Sequence, residues 1–234
     1  PLPPLQSGVG AVANAVLSGF IESDLNHLSL YSEVLQDSVL DLIDAGKADF
    51  ASGTALTLSP EKLLFFYQNI EQSRLKIVLR PQEISNSPEL VRRLGVIAVN
   101  TALEADLSGN INSTHVNGTY MMNGLGGSGD FTRNALVSIF TTLSTAKNGM
   151  LSCIVPAVSH VDHTEHDVDV LITEQGVADL RRLTAYERAE KIIQNCAHPD
   201  FKNDLRAYIR YSHACSKGLH GIAPMLSTTF QKRA

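Results

Sequence analysis

The sequence predicts an α/β fold built on an open, mixed sheet flanked by helices. Strand-like apolar runs alternate with segments of helical spacing along most of the chain, which is the signature of a sheet covered by helices. Hairpin-like links at Leu107–Asn112 and Lys147–Gly149 interrupt that alternation, so the sheet is expected to mix parallel and antiparallel strands. With 234 residues the chain has enough length for one large domain, or two small ones, with a substantial core.

Taken in order, the small apolar run from Gly10 to Leu17 predicts a buried helix ended by Gly19. Leu28–Tyr31 reads as a strand. Val34, Leu35, Val39, Leu42 and Ile43 recur at helical spacing and predict a helix over Val34–Ile43, closed by Gly46. Ala48–Ala51 reads as a strand. Ser59 and Pro60 then open a helix as N-cap and first helical residue. Lys76–Leu79 and Val96–Val99 are strands on either side of a helix from Pro88 to Leu94. Beyond a glycine-dense loop at 123–129, Ala135–Thr142, Leu151–Val155 and Val168–Thr173 read as strands. Thr184–Asn195 and Asp200–Lys217 read as helices.

Composition narrows the function classes. Net charge is −5 and no Lys/Arg run occurs, which argues against nucleic acid as a partner while permitting a local phosphate pocket. No apolar stretch approaches the roughly 20 residues that span a bilayer. Cys153, Cys196 and Cys215 form neither a CxxC pair nor a zinc pattern and suit a reduced compartment, cytosol or mitochondrial matrix. Pro1-Leu2-Pro3-Pro4-Leu5 reads as extended linker. With no initiator Met and a motif close behind, the chain is expected to be a fragment, residues 1–7 being a linker remnant.

Four segments carry possible chemistry. Gly8-Val9-Gly10-Ala11-Val12-Ala13 satisfies G-x-G-x-x-A, but Pro-rich sequence stands where the dinucleotide fingerprint needs a strand, and no acid sits where the ribose contact belongs. Glycines at a helix start still let N–H groups approach an anionic or carbonyl ligand; a close-packed buried helix is the alternative. In Tyr31-Ser32-Glu33-Val34, Glu33 is either an acid placed favourably at a helix start or a carboxylate nucleophile. Gly124, Gly126, Gly127 and Gly129 fall within six residues, a density that exposes successive N–H donors to an oxyanion; a flexible turn is the alternative. The run from His160 to Asp169 is dense in His and carboxylates but lacks metal-motif spacing. It reads as a hydrogen-bonded polar turn, with no metal expected. Lys147 is a solvated turn residue or a phosphate contact.

The order of these segments resembles the acetyl-CoA hydrolase/transferase family of class I coenzyme A (CoA) transferases. The likeness runs through Tyr31-Ser32-Glu33-Val34-Leu35-Gln36-Asp37, Arg80-Pro81-Gln82-Glu83-Ile84-Ser85-Asn86, Gly126-Gly127-Ser128-Gly129-Asp130-Phe131 and His160-Val161-Asp162-His163-Thr164-Glu165-His166-Asp167. It implies the CoA-transferase (NagB/RpiA/CoA transferase-like) fold, with residues 8–234 as the C-terminal catalytic domain and the N-terminal domain absent. It implies Glu33 as nucleophile, passing through an acyl anhydride to a glutamyl-CoA thioester. Gly127 would help form the oxyanion hole and line the CoA site, and Asn86 would contact the glutamate. Gly8, Val9, Gly10, Ala11 and Val12 would lie along bound CoA, and Lys147 would touch it. The implied partners are acyl-CoA and small carboxylates as substrates, with no tightly bound cofactor. The implied assembly pairs this chain with the N-terminal domain of the same protein, as a homodimer. Hydrolysis of acetyl-CoA, or a CoA-binding fragment inactive by itself, are the alternatives.

Overall fold

The structure is a computed structural model in which residues 2–214 are described; Cys215 and the end of the helix expected to reach Lys217 lie outside them. The chain divides into two compact units, residues 1–101 with 126–138, and residues 102–125 with 139–234. The chain leaves the first unit at Ala102 and re-enters it at Gly126.

The first unit holds five parallel strands in the order Ile97–Thr101, Leu5–Ser7, Leu28–Tyr31, Ala48–Gly53, Ile77–Leu79. Residues 5–7, expected within a linker, are thus strand. Leu5, Gln6 and Ser7 are buried, and their strand lies between two neighbours. The Pro-rich start concealed this, since only three residues follow the last proline before the first glycine. Helices Ala11–Ser18 and Asp37–Asp44 and their neighbours cover one face around Leu5, Leu17, Leu28, Leu30, Val39 and Leu42. The opposite face carries Tyr31, Val91, Val96, Ala98 and Phe131. Leu30 and Tyr31 are adjacent in one strand yet serve different faces, as the two-residue period of a strand requires. Phe131 is 1% exposed, so truncation to Ala would cost about 3–5 kcal/mol.

The helix expected over Val34–Ile43 begins later. Val34–Leu35 is a short strand paired in parallel with Ala55–Leu56, and the helix runs from Asp37 to Asp44. β-branched Val34 fits the strand, and the apolar spacing of Val39, Leu42 and Ile43 alone belongs to the helix. The helix Pro60–Gln68, capped by Ser59, follows its sequence signals, and Pro88–Leu94 is closed by left-handed Gly95.

The second unit mixes strand directions. Val170–Thr173 pairs in parallel with Ile139–Thr141, and antiparallel with Gly176–Asp179. A smaller sheet places Glu104–Asp106 between Ile154–Val155, parallel, and Ile111–Asn112, antiparallel. Thr145–Ala146 and Leu151–Ser152 form the hairpin around Lys147, so the strand expected over Leu151–Val155 is broken at Cys153. Helices Ala185–Cys196, opened by a Thr184/Glu187 capping box, and Pro199–Ala214 pack Ile192, Ile193, Leu205 and Tyr208 into this unit's core. Among the described residues no helix is long and apolar enough to cross a membrane.

Candidate active site

The strand order of the first unit reverses beside Leu5–Ser7. Successive strands run outward on one side of it, and Ile97–Thr101 returns on the other. In parallel α/β sheets ligands bind at the carboxyl ends of strands at such a reversal, because two loops diverge there and leave a crevice. Two segments singled out in the sequence sit at those carboxyl ends. Gly8-Val9-Gly10 follows Leu5–Ser7, and Glu33 follows Leu28–Tyr31 on the adjacent strand.

Gly8-Val9-Gly10 is a loop between a strand and the helix Ala11–Ser18, the strand–loop–helix context the Pro-rich sequence had argued against. Gly10 has φ +130°, a conformation open to glycine. Gly8 donates its N–H to Val99 O at 2.7 Å, and a Cβ on Gly8 would come within 2.8 Å of Asn100 Oδ1. The Gln36 side chain then grips the loop from both sides. Its Nε2 donates to Gly8 O at 3.0 Å, and its Oε1 accepts from the Gly10 N–H at 3.1 Å. Val9 is exposed at the crest of the loop.

Glu33 is half-buried, and its backbone carbonyl accepts from Thr54 N at 2.7 Å. Ser32, immediately before it, donates Oγ–H to Ser7 O at 2.8 Å and so ties this turn to the first strand. The Glu33 carboxylate Oε2 accepts the backbone N–H of Gly127 at 2.6 Å. Gly127 is buried, and a Cβ built on it would fall 2.6 Å from that oxygen and 2.2 Å from Asn86 Nδ2. Glycine is required at residue 127 by space alone, since its φ of −83° suits any residue. Gly126, with φ +56°, makes the turn that presents this N–H. Ser128 and Gly129, expected in the loop, are already in the helix Ser128–Thr132.

Asn86 is 6% exposed, and neither its Oδ1 nor its Nδ2 has a hydrogen-bond partner. Buried amides left unsatisfied are costly and rare, so a polar group held ready beside Glu33 calls for a ligand. Tyr31 supports all three residues. Its hydroxyl donates to Ile84 O at 2.5 Å, two residues before Asn86, and its ring meets Phe131 edge-on at 6.3 Å, four residues after Gly127. Glu33 itself lies two residues further along the chain.

The structure therefore brings together Glu33, Asn86 and Gly127 in one unit, with Gly8, Val9, Gly10, Ala11 and Val12 at the neighbouring strand end. Lys147 belongs to the other unit, on an exposed hairpin turn, at φ +48°. Gln36 and Tyr31 lay inside a motif the sequence singled out but had no assigned role. Their contacts join residues 26–53 positions apart, which no local pattern encodes.

A half-buried carboxylate at a switch-point crevice, against a glycine N–H and a buried free amide, has the parts for covalent attack on an activated carbonyl. Comparison with known proteins gives the same direction. Residues 64–209 match the family model described as acetyl-CoA hydrolase/transferase C-terminal domain. The chain is 63% identical over 212 residues to a succinyl-CoA:acetate CoA-transferase of Clostridium kluyveri, covering 91% of this chain and 39% of that protein. It is 51% identical over 211 residues to an acetyl-CoA hydrolase of Candida albicans, covering 88% of this chain and 40% of that one. Among solved structures, RipA from Yersinia pestis matches with TM-score 0.79 at 30% identity, over 91% of this chain and 50% of that chain. A 4-hydroxybutyrate CoA-transferase from Porphyromonas gingivalis matches with TM-score 0.70 at 27% identity, over 89% and 51%. The chain spans about two fifths of the length of these curated relatives.

Proposed function

This chain belongs to the acetyl-CoA hydrolase/transferase family through its C-terminal domain, and from that membership we propose that it supplies the nucleophile of a CoA transferase. The reaction moves CoA between a short-chain acyl-CoA and an acetate-type carboxylate. The observation that carries the reading is the Glu33 carboxylate, 2.6 Å from the Gly127 backbone nitrogen, with the Asn86 amide closing in on the same glycine.

A Glu33 oxygen attacks the thioester carbon, the C–S bond breaks, and CoA leaves as thiolate from an acyl-glutamyl anhydride. The thiolate then attacks the glutamyl carbonyl and expels the acyl group as a free carboxylate, leaving Glu33 as a glutamyl-CoA thioester. An incoming carboxylate runs the same steps backward, which is ping-pong exchange. Gly127 N–H and the unengaged Asn86 Nδ2 are the donors offered to the negative charge that develops on the thioester carbonyl oxygen. The loop at Gly8, Val9 and Gly10, with Ala11 and Val12 of the following helix, lies along CoA; a CoA contact by Lys147 rests on the family resemblance. CoA enters as substrate and needs no resident cofactor. Binding of the remote pantetheine positions the thioester for attack, which requires a cleft closed by an N-terminal domain of the same protein, in a homodimer. Cytosol or mitochondrial matrix is the matching compartment.

A second reading has water intercept the enzyme-bound thioester, and relatives bearing the name acetyl-CoA hydrolase favour it. The full-length protein is incubated with acetyl-CoA, treated with borohydride and digested. Reduction of Glu33 to the alcohol in the wild type, and no exchange activity in Glu33→Gln or Glu33→Ala, is the expected result. An unmodified Glu33 in an enzyme that still exchanges acyl groups would overturn the mechanism. CoA release that needs no carboxylate acceptor would favour hydrolysis.

A further inference from the structure

In the second unit the His-rich run, expected as a polar turn, also brings three possible ligand side chains together. His115, on the strand His115–Val116, meets His160 and Asp162 of the loop before Thr164. One donor atom from each lies within 4.8 Å of the other two. The two imidazole rings are 3.9 Å apart between centroids, tilted by 36°. His160 Nε2 stands 3.3 Å from Asp162 Oδ1. Two atoms bound at about 2.0–2.1 Å to one tetrahedral ion are themselves about 3.3 Å apart.

The hydrogen bonds fix which nitrogen is available. Thr114 Oγ1 lies 2.9 and 2.8 Å from the two Asp162 oxygens and 2.7 Å from His115 Nδ1. A carboxylate accepts only, so the single hydroxyl proton goes to Asp162 and His115 must donate Nδ1–H to the hydroxyl oxygen. In the neutral ring the lone pair is then on His115 Nε2. Metal-binding histidines are prepared in this way, by a second-layer oxygen that holds the far ring nitrogen.

The scaffold is rigid as well. Asn112 is fully buried; its Oδ1 accepts the N–H of His115 at 2.9 Å, and its Nδ2 donates to His115 O at 2.7 Å. The same Nδ2 reaches Ser159 Oγ, next to His160, at 3.3 Å. Asp162 is pinned through the Ser113 and Thr114 N–H groups at 2.7 and 2.9 Å, and through its own N–H to Ile111 O at 2.9 Å.

We propose that His115, His160 and Asp162 form a site for a divalent transition cation of the zinc class, held by two imidazoles and one carboxylate oxygen with the fourth position open to water. Imidazole donors select such ions over magnesium or calcium, which prefer all-oxygen shells. The site is independent of Glu33 and of the acyl-transfer reading.

The test is zinc binding by calorimetry on the full-length protein, with a zinc-edge anomalous map from soaked crystals. The expected result is a peak bounded by these three side chains, with binding weakened at least about tenfold in His115→Ala and in His160→Ala. Thr114→Val, which frees His115 to adopt the other tautomer while leaving all three ligands, should weaken zinc about tenfold, and Thr114→Ser should restore it. Far-ultraviolet circular dichroism identifies any variant that has unfolded, and His160→Ala, at a side chain 40% exposed, is the variant least able to unfold the protein. No anomalous peak at this cluster, or a folded His160→Ala protein that binds zinc as the wild type does, would overturn the proposal.

Discussion

The backbone N–H of Gly127 meets Oε2 of Glu33 at 2.6 Å, and the space beside that contact is too small for one methyl group. In Gly127→Ala the new Cβ would collide with Asn86 Nδ2 and with the carboxylate, while the backbone, at φ −83°, would be unstrained. The variant should fold with near wild-type melting temperature and lose about a hundredfold in kcat, because displacing a reacting group by about 1 Å costs that much. Steady-state exchange kinetics beside a thermal melt check both halves, and unchanged kcat would show that the close fit at Gly127 does not position the nucleophile.

Tyr31 connects the two segments that flank Glu33. Tyr31→Phe keeps the edge contact with Phe131 and removes only the hydrogen bond to Ile84 O. The expected loss is about 1 kcal/mol of stability. A fall in kcat at little-changed KM for acyl-CoA should accompany it, since Asn86 lies two residues from the lost contact. Equal effects on KM and kcat would point to general loosening of the unit instead.

Acid sensitivity in the second unit should involve Glu174. Burial pushes its carboxyl up, but hydrogen bonds from Ser144 Oγ, Gln175 and the Ser144 N–H outweigh that and bring it down to about 2. A folded value below the unfolded one, 4.5, means stability fully present above about pH 4.5 and lost as pH falls toward 2. Glu174→Gln should therefore be less stable than wild type at neutral pH, by on the order of 1 kcal/mol after screening at this exposed side chain. The gap should close between pH 4.5 and 2 in denaturant titrations. A gap that persists at pH 2 would contradict the assignment.

Cys153 and Cys196 are buried, and desolvation pushes both thiols up to about 11. Neighbouring Glu104 and Glu174 add to the shift at Cys153. The thiolate is the reactive form, so both residues should resist iodoacetamide at pH 8 in the folded protein and react once it is unfolded. Peptide mass spectrometry resolves each site; labelling of either in the native state would show that the burial opens readily in solution.

Much of this protein was legible along the chain because its signals are local. Ser59 with Pro60 and the turn at Lys147-Asn148-Gly149 specify a cap and a turn through the φ values and hydrogen bonds of a few adjacent residues. The clustering of glycines at residues 124–129 and the place of Glu33 after a strand singled out, for the same reason, two segments that the fold brings into contact. The short strand at Leu5–Ser7 escaped, since three residues carry too little pattern and its partners lie at residues 28–31 and 97–101.

What the order of residues determined, then, was the alternation of strands and helices, the glycines that permit tight turns, and a carboxylate at a strand end. Only the tertiary structure decided that Glu33 and Asn86 meet around Gly127, that Gln36 clasps the Gly8–Gly10 loop, and that His115 faces His160 and Asp162. Those pairings join positions dozens of residues apart. They are set by strand order and by side-chain packing across the sheet, which act through space and leave no periodic trace in the sequence.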